Sequence, residues 1–503
     1  MKVRHVAASL ADAKADVLAI FVHGAPGRDP AVKDLDKALA GRLTKQAKAQ
    51  SFEGKRGESC AVFAGDALRA GHVLLVGAGD RDSFDVGGLK DLVADAVRAA
   101  GKLGAKSLAL SLPAAGDDLE RAAELAATGA QLGAYRYDAY RQQSKKPPLS
   151  VSDAQIVTAP AGKGKGKGKA SGGPSLAGPI RRGEAVAEAV AKARDFVNMP
   201  ASDMTPAKLA TEARAIAKRH GLQAKVLGAA ECKRLGMGMF LGVAKGAETE
   251  AKLIHLVYKP KSKPKRRVAL VGKGIMFDTG GYSLKPTSGM VDMKMDMAGA
   301  AAVVAAMDAL AKLKVPYEVH AIAACCENMI SGEAFRPSDV LKAMDGTTVE
   351  ITNTDAEGRL SLGDAITYAR EKVKPDEIFD FATLTGACLV ALGPYTAAVL
   401  SGDDELADEW LDAARAAGED MWRLPLNERL SEQLKSPIAD LKNSGDRFGG
   451  TITAALFLKH FAKDSRWLHV DIAGPAMAAR EGGAWTQGGT GFAVATIAEY
   501  LRK

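Results

Sequence analysis

Blocks of apolar residues alternate with amphipathic stretches along the first part of the chain. The apolar runs Val17–Val22 and His72–Gly77 predict buried strands, and residues 88–98 have the apolar spacing of a helix. Strands that alternate with helices are typical of an α/β domain with a largely parallel sheet. We therefore expect a smaller N-terminal α/β domain over residues 1–158, with a mostly parallel sheet.

The pattern continues in the second part of the chain. A helical pattern covers residues 182–196, and strand patterns occur at residues 267–271, 318–324, 377–382 and 467–472. Helical segments separate these strands, so we expect a larger C-terminal α/β domain over residues 181–503 with a mixed, helix-flanked sheet. A chain of 503 residues is long enough to form two cores.

Residues 159–180 separate the two domains and have the composition of a linker. Lys163, Lys165, Lys167 and Lys169 alternate with glycine, and the segment offers nothing to bury. Segments of this kind do not form a packed core. The sequence therefore predicts a flexible Gly/Lys-rich linker between the domains.

The net charge of +8 suggests, taken alone, an acidic partner such as nucleic acid. Much of the excess lies in the linker lysines and in a second basic run between Lys259 and Arg267. Flexible lysines give only salt-sensitive, nonspecific binding to polyanions. A nucleic-acid-binding role is therefore kept as an alternative from a different functional class.

The cysteines and the apolar runs favour a cytoplasmic protein. The five cysteines form no Cys-x-x-Cys pair, and we interpret them as buried small apolar residues in a reducing compartment. No apolar stretch reaches the roughly 18 residues that a membrane span needs. We expect no secretory signal, because Asp12, Lys14 and Asp16 interrupt the apolar pattern near the N-terminus.

Acidic and basic side chains are concentrated in two glycine-rich segments, residues 272–281 and 353–360, and at two nearby positions. Carboxylates at this density repel one another unless cations lie between them. The simplest way to supply such cations is a pair of bound metal ions, and two-metal sites commonly catalyse hydrolysis. The groups concerned are Lys273, Asp278, Lys285, Asp296, Asp355, Glu357 and Arg359.

These side chains lie where predicted strands end. Lys273 and Asp278 follow the strand that ends at Val271, and residues 355–359 lie between a strand at residues 349–351 and a helix that starts near Ser361. In open α/β sheets, ligands bind beyond the carboxyl ends of the strands. The placement therefore supports one shared site.

Each motif also has a structural alternative. Asp355, Glu357 and Arg359 would lie on one side of an extended chain, about 7 Å apart, but they could instead form a surface ion-pair loop. Asp296 could be the N-cap of the small-residue helix that follows it.

Two dications would lower the pKa of Lys273 and make its neutral, metal-binding form accessible. A phosphate-binding Gly-Lys-Gly loop is its alternative, although the P-loop pattern is absent.

Histidine, serine and cysteine do not form a second candidate centre. No Gly-x-Ser-x-Gly elbow or Cys/His nucleophile pair stands out, so a metal-activated water molecule is the remaining route to hydrolysis. Five histidines in or beside apolar strands are interpreted as core or surface residues: His23, His72, His255, His320 and His469.

Residues 353–360, Asn-Thr-Asp-Ala-Glu-Gly-Arg-Leu, resemble the signature of the leucine aminopeptidase family, the cytosolic dinuclear-metal aminopeptidases. The resemblance extends from about residue 185 to the end of the chain, whereas the first 150 residues resemble the family loosely, best at residues 135–138. Further segments match the family pattern in order: residues 194–200, 271–286, 295–301, 327–337, 383–387 and 469–474.

The resemblance implies how residues 181–503, as a catalytic metallo-aminopeptidase domain, would hold two metal ions. Asp278 and Glu357 would bridge the ions. Asp355 would complete the first position, and Lys273 with Asp296 would complete the second, so that four carboxylates offset two dications.

The resemblance also implies the catalytic and substrate-binding residues. Lys285 would polarise the scissile carbonyl and stabilise the oxyanion. Arg359 would bind a bicarbonate that acts as general base on a water molecule bridging the metals. Met293, Thr383 and Leu384 would border the pocket for the first side chain of the substrate.

As a member of this family, the protein would be a metal-dependent aminopeptidase that releases leucine and other apolar residues from the N-terminus of peptides. The implied cofactors are two divalent ions per chain, Mn or Zn with Co or Mg as alternatives, and bicarbonate. The implied assembly is a homo-hexamer. A dinuclear phosphoesterase is a third possibility, disfavoured because histidine ligands are missing and because Lys285 and Arg359 fit the peptidase pattern. Two departures from the family pattern, Ala298 and Ile330, involve no proposed ligand.

Overall fold

The computed structural model describes residues 1–82, 84–112, 118–142, 151–159 and 175–503. These residues form two compact units, Met1–Glu188 with Arg480–Thr486, and Ala189–Ala479 with Gln487–Lys503. Most of the predicted linker, residues 160–174, lies outside the described residues. A helix begins at Ala177, within the segment expected to be flexible. The domain bounds 1–158, 159–180 and 181–503 stay a prediction.

In the first unit, the described strands form one sheet in the order β1-β6-β5-β2-β4-β3. All neighbouring pairs are parallel except β3 with β4, so the expected mostly parallel sheet is confirmed. The strands are β1 Lys2–Ala7, β2 Val17–Val22, β3 Ser59–Phe63, β4 His72–Gly77, β5 Ser107–Ser111 and β6 Asp153–Thr158. The α-helices are α1 Pro30–Ala38, α2 Arg42–Ala49, α3 Leu89–Lys102 and α4 Leu119–Gly133, followed by α5 Ala177–Asn198. Short 3-10 helices lie at Leu10–Asp12, Pro26–Arg28, Gly65–Ala67 and Val86–Gly88.

Two glycines allow close helix packing in the first unit. Cβ atoms added at Gly129 and Gly133 of α4 would clash with the backbone of α3 at Lys90 and Ala94. The two helices therefore pack at backbone contact against the apolar side of the sheet. The fully buried strand β2 lies near the middle of that sheet.

In the second unit, the large sheet has the strand order β15-β14-β17-β13-β9-β10-β8-β7 among the described residues. The central neighbours of β9, which are β13 and β10, are both parallel to it, whereas the pairs β10/β8, β8/β7 and β14/β17 are antiparallel. The expected mixed sheet is thereby confirmed. Its strands are β7 Gln223–Leu227, β8 Lys252–Tyr258, β9 Arg267–Asp278, β10 Glu318–Asn328, β13 Glu377–Ala382, β14 Ala397–Leu400, β15 Met421–Arg423 and β17 Arg466–Asp471.

Shorter strands and ten helices of the second unit complete what the structure describes there. The short strands are β11 Val340–Lys342, β12 Thr348–Glu350, β16 Leu441–Lys442, β18 Met477–Ala478 and β19 Gly488–Gly489. The α-helices are α6 Pro206–His220, α7 Ala229–Arg234, α8 Gly238–Ala244, α9 Thr287–Met290, α10 Ala298–Leu313, α11 Glu357–Tyr368, α12 Gly386–Leu392, α13 Asp404–Ala417, α14 Gly450–Ala462 and α15 Val494–Tyr500. Shorter helical segments cover Met293–Met297, Ala369–Val373 and Glu428–Leu434.

Helices cover both faces of β9. Successive side chains of a strand point to opposite faces. Val271 and Ile275 lie in the apolar core that also contains Leu360 of α11. On the other face, a Cβ atom added at Gly272 would meet the backbone of α10 at Gly299. Strand β9 is thus enclosed between α10 and α11.

The bounds of three elements differ from the expectation in ways that matter for the site. Strand β9 does not end at Val271 but continues to Asp278, because its neighbour β10 pairs with it along this extension. Strand β10 likewise runs on to Asn328. Helix α11 begins at Glu357, not near Ser361.

The five cysteines are buried and free, as the sequence indicated. Cys325 and Cys326 are successive residues of β10, and their side chains therefore point to opposite faces of the sheet. Among the residues that the structure describes, no helix combines the length and apolarity needed to cross a membrane.

Candidate active site

The extension of β9 carries two of the predicted site residues. Lys273 is buried, and its Nζ atom lies 2.7 Å from Asp296 Oδ2 and 2.9 Å from Glu357 Oε1. Asp278 is the last residue of the strand, and its Oδ1 atom accepts hydrogen bonds from Gly280 N and Asn328 Nδ2. Both side chains are therefore held inside the protein rather than on a loop.

Asp296 lies on the helical turn Met293–Met297 that leads into α10. The N-cap of α10 is Met297, and Asp296 instead accepts a 2.7 Å hydrogen bond from Thr383 Oγ1. Since Lys273 Nζ also contacts this carboxylate, Asp296 points into the acidic cluster. The N-cap alternative is therefore wrong for this residue.

Asp355, Glu357 and Arg359 come from a tight turn and the first turn of α11, not from extended chain. The predicted extended spacing of these three residues is therefore wrong. Helix α11 still brings Glu357 and Arg359 into one cavity because both lie on its first turn. Lys285 contacts two carboxylates of the site, with its Nζ atom 2.8 Å from Asp278 Oδ2 and 2.5 Å from Asp355 Oδ1.

The carboxylates form a cluster that can hold a cation. Ligand oxygens of Asp278, Asp355 and Glu357 lie within 4.8 Å of one another. Glu357 Oε2 is buried and has no hydrogen-bond partner among the described residues. A buried carboxylate oxygen without a donor is costly unless a cation binds it. Oxygen donors in this arrangement fit a hard or borderline divalent metal ion.

Burial and mutual repulsion shift the protonation of these acids. Burial, followed by repulsion from Asp278, raises the pKa values of Glu357 and Asp355. Burial also raises the pKa of Asp296, although Lys273 opposes this shift. The protein alone therefore does not fully compensate the negative charges that it places together.

The two amines respond in the opposite direction. Burial disfavours the charged form of Lys273, but attraction to Asp296, Glu357 and Asp278 outweighs it and raises the pKa of this lysine. The pKa of Lys285 is raised in the same way, mainly by Asp278 against the effect of burial. Without dications both amines are cationic, and the lowered pKa expected for Lys273 beside two metals stays a prediction.

Arg359 differs from the two lysines because its guanidinium group forms no ion pair with the acidic cluster. Its Nη1 atom donates a 2.9 Å hydrogen bond to Asn443 O, and its Nε atom has no partner among the described residues. Burial lowers its pKa to about 10, which still leaves it cationic at neutral pH. The group is thus available for a small anion.

All ten predicted site residues line one cavity of about 560 Å³. Residues that bear charge come from β9, α11 and the adjoining turns, and also from the segment before α14, which contributes Asp446 and Arg447. The apolar lining includes Met293, Met295, Leu384 and Leu389. A cavity of this size suits a small ligand of a few residues. The ten residues are Lys273, Asp278, Lys285, Met293, Asp296, Asp355, Glu357, Arg359, Thr383 and Leu384.

The sequence did not reveal the polar residues that hold the site in shape. Asn328 Nδ2 donates to Asp278 Oδ1 and also to Thr354 O, at 2.8 and 3.0 Å. Asn443 Nδ2 donates to Asn353 O, which ties the turn before α11 to a segment 90 residues later. Asn328 lay in a segment that resembles the family, but Asn443 had no local signal.

Comparison with known proteins agrees with this geometry. The pattern of the cytosol aminopeptidase family, catalytic domain, matches residues 191–498, and that of its N-terminal domain matches residues 17–144. The chain belongs to the cytosol aminopeptidase family. It is accordingly a peptidase and a hydrolase. The resemblance to leucine aminopeptidases seen in the sequence is confirmed.

Relatives of the cytosol aminopeptidase family match the chain over nearly its whole length. A probable cytosol aminopeptidase of Acaryochloris marina is 41% identical and is covered completely, as is this chain. One from Rippkaea orientalis is 40% identical, with 93% of each chain covered.

Solved structures of related proteins share the fold. A mutant of tomato leucine aminopeptidase has a TM-score of 0.88 and 36% identity, covering 100% of this chain and 96% of its own. A bottromycin maturation enzyme in complex with Mn has a TM-score of 0.82 and 37% identity, covering 97% of this chain and 99% of its own. The two-domain α/β fold is therefore that of the family.

Proposed function

We propose that this cytosol aminopeptidase uses two divalent metal ions to release leucine and other apolar residues from the N-terminus of peptides. The observation that carries the proposal is the excess of carboxylates over amines in the acidic cluster of one cavity. Asp278, Asp296 and Glu357 are buried and Asp355 is half-buried, against the two amines of Lys273 and Lys285. Peptidase activity follows from family membership, and the acidic cluster supports the metal requirement.

In this proposal, five residues hold the metal ions. Asp278 and Glu357 would be shared by both ions, Asp355 would complete one position, and Lys273 with Asp296 would complete the other. The oxygen-rich donor set with one nitrogen favours Mn or Zn, with Co or Mg as alternatives. Asn328 keeps Asp278 aimed at the cluster through its 2.8 Å hydrogen bond.

When bound, the metal ions would supply a Lewis acid and lower the pKa of a bound water molecule. The chain itself would supply two cationic groups to the reaction. Lys285, anchored between Asp278 and Asp355, is positioned to donate a hydrogen bond to the carbonyl oxygen of the scissile bond. Arg359, whose Nε atom is unpartnered among the described residues, is positioned to bind bicarbonate as the general base.

The apolar lining supports the preference for the first side chain of the peptide. Met293 and Leu384 border the cavity next to Thr383, whose hydroxyl group is held by Asp296. Thioether and aliphatic side chains exclude water from a leucine-sized group and offer no partner to a charged one. An apolar first residue is therefore the preferred substrate.

Removal of metal tests the proposal directly. Leucine amide hydrolysis should be lost after exhaustive chelation and should return on addition of Mn or Zn. Elemental analysis of the active protein should give two metal ions per chain. Full activity of protein that elemental analysis shows to be free of metal would contradict the dinuclear mechanism.

The response of the enzyme to added bicarbonate distinguishes the proposed role of Arg359 from that of the metal ions. Added bicarbonate should stimulate the wild-type enzyme, and the variant Arg359→Ala should be slower and insensitive to it. Equal stimulation of both proteins would remove Arg359 from this role. Metal content should be similar in both, because Arg359 is not one of the proposed ligands.

We further propose a cytoplasmic homo-hexamer. The small-residue and apolar segments of the second unit are compatible with large buried contacts between copies. Light scattering of the full chain tests the assembly, and a stable monomer with full activity would contradict it.

A further inference from the structure

Two cationic side chains of the cavity, Arg359 and Arg447, form no ion pair with a carboxylate among the described residues. Arg447 lines the cavity and is exposed, with its guanidinium group 5.7 Å from the ring of the neighbouring Phe448. No carboxylate lies within ion-pair distance of it among the residues that the structure describes. By contrast, Lys273 and Lys285 in the same cavity each contact two carboxylates. Arg447 is therefore the exposed cation of this cavity that is available to a substrate, whereas Arg359 is buried and donates a hydrogen bond to Asn443.

Two hydrogen-bonded residues hold the segment that leads up to Arg447. Asp446 N donates a 2.9 Å hydrogen bond to Gln433 Oε1. Asn443, four residues before Arg447, accepts a hydrogen bond from Arg359 and donates another to Asn353. The segment is thus tied to the helix that carries Glu357, and Arg447 projects from a defined position at the cavity wall.

The surroundings of Arg447 favour a negative charge. Gly450 and Thr453, in the first turn of the 13-residue helix α14, line the same cavity, and Gly449 gives this helix no side-chain cap. The free N–H groups of a helix N-terminus attract anions. Arg359, which is only 8% exposed, adds a buried Nε atom without a partner among the described residues.

We propose that Arg447 binds the C-terminal carboxylate of very short peptides, so that dipeptides and tripeptides are the preferred substrate class of this site. The inference rests on the aminopeptidase function proposed above. With its N-terminus at the acidic cluster, only a short peptide can present its carboxylate inside a cavity of about 560 Å³. A longer peptide extends out of the cavity, so its C-terminal carboxylate lies beyond the reach of Arg447. Arg447 therefore adds nothing to the binding of such a peptide.

Asp446 places a negative charge beside Arg447, so removal of either charge should change the selection of free peptide acids in opposite directions. It lines the cavity beside Arg447 and repels an incoming carboxylate. Removing the arginine should therefore weaken the selection of free peptide acids, and removing the aspartate charge should strengthen it. A purely steric role of this segment would not produce opposite effects.

The experiment compares Leu-Gly with Leu-Gly amide, which differ only in the terminal carboxylate. We expect the wild-type kcat/KM to be about tenfold higher for the acid, as one charge-assisted contact would give. The ratio of the two kcat/KM values should fall to about one in Arg447→Gln. It should lie between one and the wild-type ratio in Arg447→Lys, and it should exceed the wild-type ratio in Asp446→Asn. The control Arg429→Gln makes the same charge change outside the cavity lining and should keep the wild-type ratio.

Binding to metal-free protein gives a second readout. Titration calorimetry with a reduced-bond analogue of Leu-Gly, which cannot be hydrolysed, should show weaker binding of its amide than of its acid, and Arg447→Gln should abolish the difference. A wild-type ratio near one, or a ratio that persists in Arg447→Gln, would overturn the proposal. If the metal-loaded wild type cleaves neither substrate, the aminopeptidase proposal fails, and calorimetry still decides whether Arg447 selects the carboxylate.

Discussion

The two compact units each bury acidic side chains against cations, but they balance the charges differently. In the first unit, Glu124 lies 2.7 Å from Arg121 Nη1 and 3.0 Å from Arg182 Nε. One carboxylate there meets two guanidinium groups. In the second unit, the acidic cluster of the cavity brings four carboxylates together with two amines, and Glu357 keeps one oxygen without a donor among the described residues.

The difference shows how one type of architecture can bury acids for stability or for chemistry. A buried carboxylate that is saturated with hydrogen-bond donors has no capacity left for a ligand. A cluster in which carboxylates outnumber cations is destabilised until further positive charge arrives. The excess of negative charge, not the presence of a buried acid, distinguishes the candidate site from an ordinary ion pair.

The largest expected effect comes from removing one carboxylate from each unit. Glu357→Gln should lower kcat/KM at least about 1000-fold and reduce bound metal, because it removes one of the two proposed bridging ligands. Glu124→Gln should leave kcat and metal content unchanged but lower the melting temperature, because two guanidinium groups lose the buried carboxylate that they share. Leucine amide kinetics, elemental analysis and calorimetry measure the three quantities.

Two results would contradict the comparison between the units. If Glu357→Gln retained its metal and its turnover, the acidic cluster would be structural, like Glu124. If Glu124→Gln lost activity while it stayed folded, the ion pair of the first unit would contribute to catalysis.

A smaller effect is expected when an amine is removed instead of an acid. Lys285→Ala should lower kcat about 100- to 1000-fold, the usual cost of losing one stabiliser of a developing oxyanion. Metal content should be kept, because the acids remain. As a matched control, Lys208→Ala removes an amine from a surface ion pair with Glu212 and should have wild-type kinetics. A proportionate loss of metal in Lys285→Ala would mean that this lysine organises the ligands.

The smallest effect concerns acid sensitivity, which the second unit should have because of a buried polar chain. Glu318 Oε1 lies 2.9 Å from His320 Nε2, His320 Nδ1 lies 2.9 Å from His255 Nε2, and Tyr368 contacts His255 Nδ1 at 3.2 Å. Burial, followed by the effect of His320, lowers the pKa of His255 to about 4. The folded state therefore prefers neutral His255.

The sign of the pH effect follows from this lowered pKa. The stabilisation is complete above the ordinary histidine pKa of about 6.5 and is lost as the pH falls toward about 4, by at most about 3 kcal/mol. The melting temperature should thus fall between pH 7.5 and pH 5, and the fall should be smaller in His255→Gln. An identical fall in both proteins would assign the acid sensitivity to other groups.

The sequence predicted strand positions well where a strand is buried on both faces. The expected bounds of β2, β4 and β13 agree with the structure because apolar residues fill these strands and polar residues flank them. The site residues were also recognisable, since charged side chains next to buried strands are rare without a ligand. Their common cavity is explained by the parallel strands β9 and β13, whose carboxyl ends meet at one edge of the sheet.

The local geometry was less predictable because contacts distant in the sequence determine it. Lys273 and Asp278 interrupt the apolar pattern of β9, yet pairing with β10 keeps the chain extended to Asp278. Glu357 and Arg359 have the spacing of a strand, but packing of the apolar face of α11 places them in a helix. The hydrogen bonds of Asn443 join segments about 90 residues apart, and no local pattern encodes such a contact.

The close contact between α10 and the sheet has a consequence for the order of folding events. A Cβ atom at Gly299 would collide with Phe381 O of β13, so α10 packs at backbone contact against the sheet and we expect it to dock after the strands have paired. Asp296, on the turn before α10, meets Lys273 only after that docking. We therefore expect the full set of proposed ligands to form only after α10 has docked. Metal uptake should then coincide with the last refolding step, so that binding of the proposed ions would report completion of the native structure.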